Sequence, residues 1–157
     1  DLIRSRGLGD VYKRQQGNYD STIFHRVIED FMNQGGDIDN QNGAGGYAAK
    51  WFGYCNGESR SSSGACEQSQ WTIPDEANNG LKHGPGKLAM AKTNAENTGG
   101  SQFYIVPTGS TPDWLDGVHT VFGEVVAGMS HVDAINKVQT DNDKPVDDVI
   151  LMSVSVN

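Results

Sequence analysis

Short runs of β-branched and aromatic residues, closed by glycine or other turn-forming residues, constrain the fold of this 157-residue chain most strongly. These runs lie at 19–28, 31–34, 87–92, 102–106, 120–126 and 149–156. Runs of this length and composition are typical of β-strands. One helical period of about three turns lies at 129–138, ahead of the last run. Many short strands with one late helix predict a mostly β domain of the barrel or sandwich type.

Length and charge narrow the class of protein. A chain of 157 residues, 36% hydrophobic and 20% charged, suits one domain with a single core. The net charge of −8 argues against a nucleic-acid partner, because phosphate binding depends on clustered lysine and arginine. No run reaches the roughly 18 apolar residues of a membrane helix, so we expect no membrane partner.

The first residues differ in character from the rest. Residues 1–15 hold four of the twelve basic residues, begin without methionine and lack the apolar core of a signal peptide. The string resembles a translated sequencing adapter. We therefore expect residues 1–16 to be a non-native or disordered segment, and residues 17–157 to form the domain. The compartment stays unknown: the cytoplasm is the default, and export is left open.

A polar tract interrupts the strand-like runs. Its part at 47–71 is rich in glycine and serine, and we interpret it as an inserted loop of unassigned role. Trp51, Phe52 and Tyr54 could anchor it to the body of the domain. Cys55 and Cys66 both lie in this loop, and the sequence leaves open whether they form a disulfide or remain free thiols.

The sequence does not match the motifs of metal sites, phosphate loops or hydrolytic triads. The four histidines and two cysteines include no H-x3-H or C-x2-C pair, so we expect no metal and no cofactor. The stretch GLKHGPGKL has the wrong spacing for a phosphate loop. Ser101, His119 and Asp116 could form a hydrolytic triad, but GGSQF is not a nucleophile elbow.

Four motifs in order identify a family. FHRVIEDFMNQGGD, GPGKLAMA, NTGGSQFYIV and WLDGVHTVFGEVVAGM resemble, in order and rough spacing, the motifs of the cyclophilins, the cyclosporin-binding peptidyl-prolyl isomerases. The resemblance covers roughly residues 17–156. It implies a closed eight-stranded antiparallel barrel capped by two helices. The family's first two strands and first helix would precede residue 17, so we expect an incomplete barrel.

The resemblance also implies a function. It predicts an isomerase that accelerates rotation of X-Pro peptide bonds during protein folding. The expected partners are proline-containing peptides and unfolded proteins, with cyclosporin as an inhibitor, and the expected state is a monomer. A non-catalytic module that binds proline peptides is the alternative, and a domain whose role lies in the 47–71 insertion is a further one.

The resemblance carries a set of site residues onto this chain. The catalytic candidates are Arg26, Phe31, Gln34, Gln102 and His119, and the substrate-binding candidates are Met32, Ala91, Phe103, Tyr104, Trp114 and Leu115. Tyr104 stands where the family usually has phenylalanine, which adds a hydroxyl to the proline pocket. Rotation about a peptide bond forms no bond to the substrate, so the site needs no nucleophile. An arginine among apolar residues fits that chemistry, because a fixed cation can stabilise the twisted peptide.

Overall fold

The structure, a computed structural model, describes residues 18–155 and the backbone of residues 3–5. The strands are β1 (Ile3–Ser5), β2 (Thr22–Ile23), β3 (Arg26–Ile28), β4 (Met32–Gly35), β5 (Tyr54–Cys55), β6 (Glu58–Ser59), β7 (Trp71–Thr72), β8 (Lys87–Met90), β9 (Phe103–Ile105), β10 (Val121–Val125), β11 (Thr140–Asp141), β12 (Lys144–Pro145) and β13 (Ile150–Leu151). The helix α1 spans Met129–Asn136, and single 3₁₀ turns lie at Ser63–Ala65, Gln68–Gln70 and Asp113–Leu115. The mostly β prediction and the late helix are confirmed.

An antiparallel sheet of six strands organises the domain. Its strand order is β1-β10-β8-β9-β4-β3, and three smaller sheets pair β11 with β12, β13 with β2, and β5 with both β6 and β7. Strand β10 changes register against β8 between Val121 and Gly123, which marks a bulge. A bulge bends the strand and increases its twist, so the sheet curves at this point.

The two faces of the large sheet carry different hydrophobic clusters, because successive side chains along a strand point to opposite faces. One cluster lies under α1 and contains Tyr19, Phe24, Val27, Leu88, Phe103, Ile105, Phe122 and Val132. The other contains Met32, Ala89, Ala91, Tyr104, Val106 and Val121, with Ile28, Phe31, Leu81 and Leu115 packed against it. The helix therefore covers one face, and the second face is left for a site.

The closed barrel that the resemblance implies for the family, expected to be incomplete in this chain, is not observed among the described residues. Closure requires a hydrogen-bonded ladder that runs from strand to strand around the whole sheet. Here β2 and β13 pair only with each other, and the large sheet ends at β1 and β3. Strand β3 meets the β11–β12 hairpin through one backbone bond, from Val27 N–H to Asp143 O at 2.7 Å. Over the described residues, the structure is therefore an open curved sheet with small satellite sheets.

The predicted insertion at 47–71 has more structure than its composition indicates. It contains β5, β6 and the first residue of β7. Asn56 and Gly57 connect β5 to β6 with positive φ angles of 48° and 85°, a combination that two-residue hairpins favour. Cys55 and Cys66 form a disulfide, which settles the alternative that the sequence left open.

The N-terminal segment is mostly outside the described residues. Of the predicted segment 1–16, the structure describes only β1, which pairs with β10 from Ile3 opposite Val125 to Ser5 opposite Gly123. The expectation that strands and a helix of the family precede residue 17 stays a prediction. No helix in the described ranges is long and apolar enough to cross a membrane.

Candidate active site

Strand register aligns the polar candidates in one row across the sheet. Arg26 on β3 lies opposite Gln34 on β4, Gln34 lies opposite Tyr104 on β9, and Tyr104 lies opposite Ala89 on β8. Directly opposed residues on one face have Cβ atoms about 4.5–5.5 Å apart. Three residues from three different strands therefore share one face of the sheet, with a small alanine completing the row.

A cavity of about 300 Å³ lies over this row. Its lining residues are Arg26, Phe31, Met32, Gln34, Ala91, Lys92, Tyr104, Leu115 and His119. Eight of these nine were predicted from the sequence. The lining combines apolar side chains with one arginine and a few polar groups, which is typical of a small-ligand site.

Arg26 keeps half of its side chain in contact with solvent. Its Nε lies 3.6 Å from Asp143 Oδ2, and the two side chains are 46% and 49% exposed. Gln34 does not bind the guanidinium in this structure. Its Nε2 donates to Gln102 Oε1 at 2.9 Å instead. Asp143 contacts Arg26 at Nε, and the terminal guanidinium nitrogens are the part of the arginine that a ligand could use.

His119 lies beside the cavity as a neutral ring. Its Nδ1 is 2.9 Å from Met90 O, and because a carbonyl only accepts, Nδ1 carries the proton. Burial lowers the pKa of His119, since removal from water disfavours the charged imidazolium. Its ring meets the ring of Tyr104 edge-on, with centroids 5.8 Å apart. The histidine therefore contributes a neutral aromatic wall and a fixed tautomer.

Tyr104 is the buried floor of the cavity, and its hydroxyl has a partner. Tyr104 Oη lies 2.7 Å from His83 Nε2, and His83 Nδ1 lies 2.8 Å from Asp116 Oδ1. Burial, followed by the negative charge of Asp116, raises the pKa of Tyr104, so the phenol stays protonated. Hydrogen bonds from the backbone and then the side chain of His83 lower the pKa of Asp116 to about 2. The floor is therefore a neutral phenol above a histidine and a carboxylate.

Three predicted residues do not line this cavity. Trp114 is 65% exposed on the 3₁₀ turn, where its ring lies 5.7 Å from that of Phe31 at the rim. Phe103 is buried in the cluster under α1, in edge contact with Tyr19 and Phe24. Strand alternation explains this placement, because Phe103 precedes Tyr104 on β9 and must face the opposite side.

Gln102, the third, lines a larger neighbouring cavity of about 450 Å³, and Gln34, Ala91 and Lys92 line both cavities. Its Nε2 donates to Gly43 O at 3.0 Å and to Gly45 O at 2.7 Å. The glutamine therefore ties the loop at 43–46 to the strands of the site.

Two residues of the site were missed by sequence reasoning. Lys92 lines both cavities; its side chain is only 3% exposed and its Nζ lies 3.4 Å from Asp75 Oδ2. A lysine directly after the apolar run LAMA was a signal that could have been used. His83 was weighed only as a metal ligand or part of a phosphate loop, and no local pattern links it to Tyr104.

The competing chemistries lack the required geometry. Ser101 is 1% exposed and its hydroxyl donates to Gly36 O, while Asp116 binds His83 instead of His119. The hydrolytic triad is therefore excluded. Among the described residues, no group of three histidine, cysteine, aspartate or glutamate side chains is placed to hold a metal ion.

Comparison with known proteins gives a consistent family. Residues 11–156 match the model of the cyclophilin-type peptidyl-prolyl cis-trans isomerases. The chain is 41% identical to peptidyl-prolyl cis-trans isomerase cypE of Dictyostelium discoideum, over 91% of this chain and 78% of the relative. It is also 41% identical to peptidyl-prolyl cis-trans isomerase-like 1 of Neurospora crassa, over 90% of this chain and 74% of the relative.

The fold agrees with a solved structure as well. The crystal structure of a cyclophilin-type peptidyl-prolyl cis-trans isomerase from Cryptosporidium parvum superposes with a TM-score of 0.75 at 26% identity. The match covers 95% of this chain and 82% of that one. The described fold is therefore similar to that solved structure over most of both chains.

Proposed function

The chain belongs to the cyclophilin-type peptidyl-prolyl cis-trans isomerase family, and from that premise we propose that its substrate proline binds in the cavity beside Arg26. The activity is the cis-trans isomerisation of peptide bonds that precede proline. The observation that carries the proposed site is the row of Arg26, Gln34 and Tyr104 under an apolar cavity of about 300 Å³.

Isomerisation requires the protein mainly to position its side chains around the prolyl peptide bond. Rotation about a peptide bond must break resonance, against a barrier of about 18–20 kcal/mol. As the C–N bond twists, the prolyl nitrogen pyramidalises and its lone pair becomes a hydrogen-bond acceptor. The Arg26 guanidinium can donate to this nitrogen in the twisted state but hardly in the planar one. Interaction gained only in the transition state is what raises the rate.

The apolar lining supports the arginine in two ways. Phe31, Met32, Tyr104 and Leu115 would grip the proline ring, with Ala91 leaving room for it, and His119 would form a further wall. A bound substrate would displace water from around the half-exposed Arg26, and the lower local dielectric would strengthen the electrostatic effect of the cation. Each tenfold of rate needs only ~1.4 kcal/mol. A charge-assisted hydrogen bond of roughly 1.5–3 kcal/mol would therefore account for about one to two decades of rate.

The remaining candidates would act at the margins of the site. Gln102 would bond the substrate backbone, and the exposed indole of Trp114 would extend the apolar rim. Phe103 would support Tyr104 from the opposite face of β9 without touching substrate. We further propose that the substrates are proline-containing peptides and unfolded proteins, that cyclosporin inhibits at the same cavity, and that the protein acts as a monomer.

Replacing the arginine tests this assignment. Arg26→Ala should lower kcat/KM more than about tenfold, a loss above ~1.4 kcal/mol, while peptide affinity stays within about threefold. Arg26→Lys should also be poor, because a point charge lacks the guanidinium fork. A protease-coupled assay on a short X-Pro peptide gives the rate, and calorimetry gives the affinity.

Arg60→Ala is the matched control, since Arg60 lies in the 47–71 insertion and is paired with Glu58. It removes the same charge away from the cavity and should leave kcat/KM unchanged. If Arg26→Ala kept more than a tenth of wild-type kcat/KM, the assignment would be wrong. A wild-type protein that binds the peptide without accelerating isomerisation would support the non-catalytic binding module instead.

A further inference from the structure

The hydroxyl of Tyr104 poses a problem for an apolar proline pocket. Tyr104 is 4% exposed and packs with Met32, Ala89, Ala91, Val106 and Val121. A buried hydroxyl without a hydrogen-bond partner is destabilising, so such a group turns toward any acceptor it can reach. If no partner lay behind the ring, the nearest opening would be the cavity in front of it.

His83 lies directly behind this hydroxyl. Its side chain is fully buried, and its Nε2 is 2.7 Å from Tyr104 Oη. The two rings are nearly parallel, with centroids 5.9 Å apart and an interplanar angle of 10°. The hydroxyl and the imidazole therefore form a buried contact behind the ring.

Asp116 determines which way this bond runs. Its Oδ1 lies 2.8 Å from His83 Nδ1 and also accepts the His83 backbone N–H at 2.8 Å. A carboxylate has only acceptors, so His83 Nδ1 carries a proton, and the imidazole tautomer that Asp116 selects has its lone pair on Nε2. In that tautomer Tyr104 donates to His83, which directs the phenol proton away from the cavity.

We propose that His83 and Asp116 are positioning residues for the proline cavity and act on it through the Tyr104 hydroxyl. This inference rests on the proposed function of the cavity. Asp116 fixes the tautomer of His83, and His83 holds the hydroxyl so that only the ring carbon surface of Tyr104 faces the proline. Asp116 directly follows Leu115, another lining residue, so the same contacts tie two sides of the cavity together.

The tautomer is the first test and needs no variant. Two-bond ¹⁵N–¹H correlation spectra of the ¹⁵N-labelled wild-type protein report which imidazole nitrogen carries a proton. We expect His83 to have a protonated Nδ1 and a bare Nε2. A proton on His83 Nε2, in either the other neutral tautomer or the imidazolium, would overturn the proposal. This spectrum is independent of catalysis, so it separates failure of the inference from failure of the proposed function.

A double-mutant cycle tests the functional consequence. His83→Leu should lower kcat/KM about tenfold, which is ~1.4 kcal/mol and the size expected for one buried polar group left unpaired. In a Tyr104→Phe background the same His83→Leu change should lower kcat/KM less than about twofold, because no hydroxyl remains to be held. Replacing both partners of a buried bond by apolar groups removes the unpaired group.

The exposed His131 provides the matched histidine-to-leucine control, and His131→Leu should leave kcat/KM unchanged. Rates are measured well below the melting temperature of every variant, so that lost stability alone does not lower activity. Full activity in His83→Leu would overturn the proposal. So would an equal loss in both backgrounds, which would show that His83 acts on the cavity without the hydroxyl.

Discussion

The side chain of Asn136 connects α1 to the strands that carry the site. Its hydrogen bonds determine how much its removal should lower the free energy of unfolding. Asn136 is 3% exposed. Its Nδ2 donates to Ile28 O and to Asn33 Oδ1, and its Oδ1 accepts Asp30 N–H, each at 2.8 Å. These bonds hold the turn between β3 and β4, immediately before Phe31 enters the cavity.

Asn136→Ala removes all three bonds at once. A net contribution of about 1 kcal/mol each predicts that the free energy of unfolding falls by roughly 3 kcal/mol. For a domain of this size, one kcal/mol corresponds to about 2–4 °C, so the melting temperature should fall by roughly 6–12 °C. Because the turn carries Phe31, kcat/KM should fall as well, measured well below the new melting temperature.

Urea unfolding measures this prediction directly. The midpoint should decrease with an unchanged m-value, since the same surface is exposed on unfolding. Asn94→Ala is the matched control, because Asn94 is exposed in the turn after β8 and should change stability by less than about 0.5 kcal/mol. A loss below about 1 kcal/mol in Asn136→Ala would refute the view that these buried bonds clamp the helix to the site.

Two further predictions concern the rim of the cavity. Asp143→Asn should lower kcat/KM by about two- to fivefold, because an exposed pair orients Arg26 only weakly. Asp141→Asn is the control, since it removes the same charge from the same hairpin. An equal effect in both variants would contradict an orienting contact. Trp114→Ala should weaken cyclosporin binding in calorimetry by about tenfold, ~1.4 kcal/mol, through loss of its exposed indole face. Unchanged affinity would remove Trp114 from the proposed inhibitor site.

Local sequence patterns predicted most strands but not whether the sheet they form closes into a barrel. The runs at 87–92, 102–106 and 120–126 became β8, β9 and β10, because branched and aromatic residues favour extended backbone. The hairpin at Asn56 and Gly57 was missed although Asn-Gly is a strong turn signal, since the polar tract around it suggested an irregular loop. Closure depends on pairing between distant strands, which no local pattern encodes, so the local patterns gave no information on whether the sheet closes.

The contact between His83 and Tyr104 could likewise not be predicted from local sequence patterns. The two residues are 21 positions apart, and His83 lies in a turn whose glycines and proline predict only a change of direction. A buried phenol needs a hydrogen-bond partner, but the sequence analysis placed the Tyr104 hydroxyl in the proline pocket without assigning it one. Which residue meets it depends on the packing of a turn against a strand, and sequence alone leaves that choice open.

Strand alternation explains which of the candidates could share one face. Side chains two positions apart point the same way, so Met32 with Gln34, and Gln102 with Tyr104, must lie on common sides of β4 and β9. The same rule separates Phe103 from Tyr104, and the structure does place Phe103 in the core under α1. A list of site residues taken from motifs alone ignores this period, whereas the motifs and the period together assign Phe103 to the core before any coordinates are known.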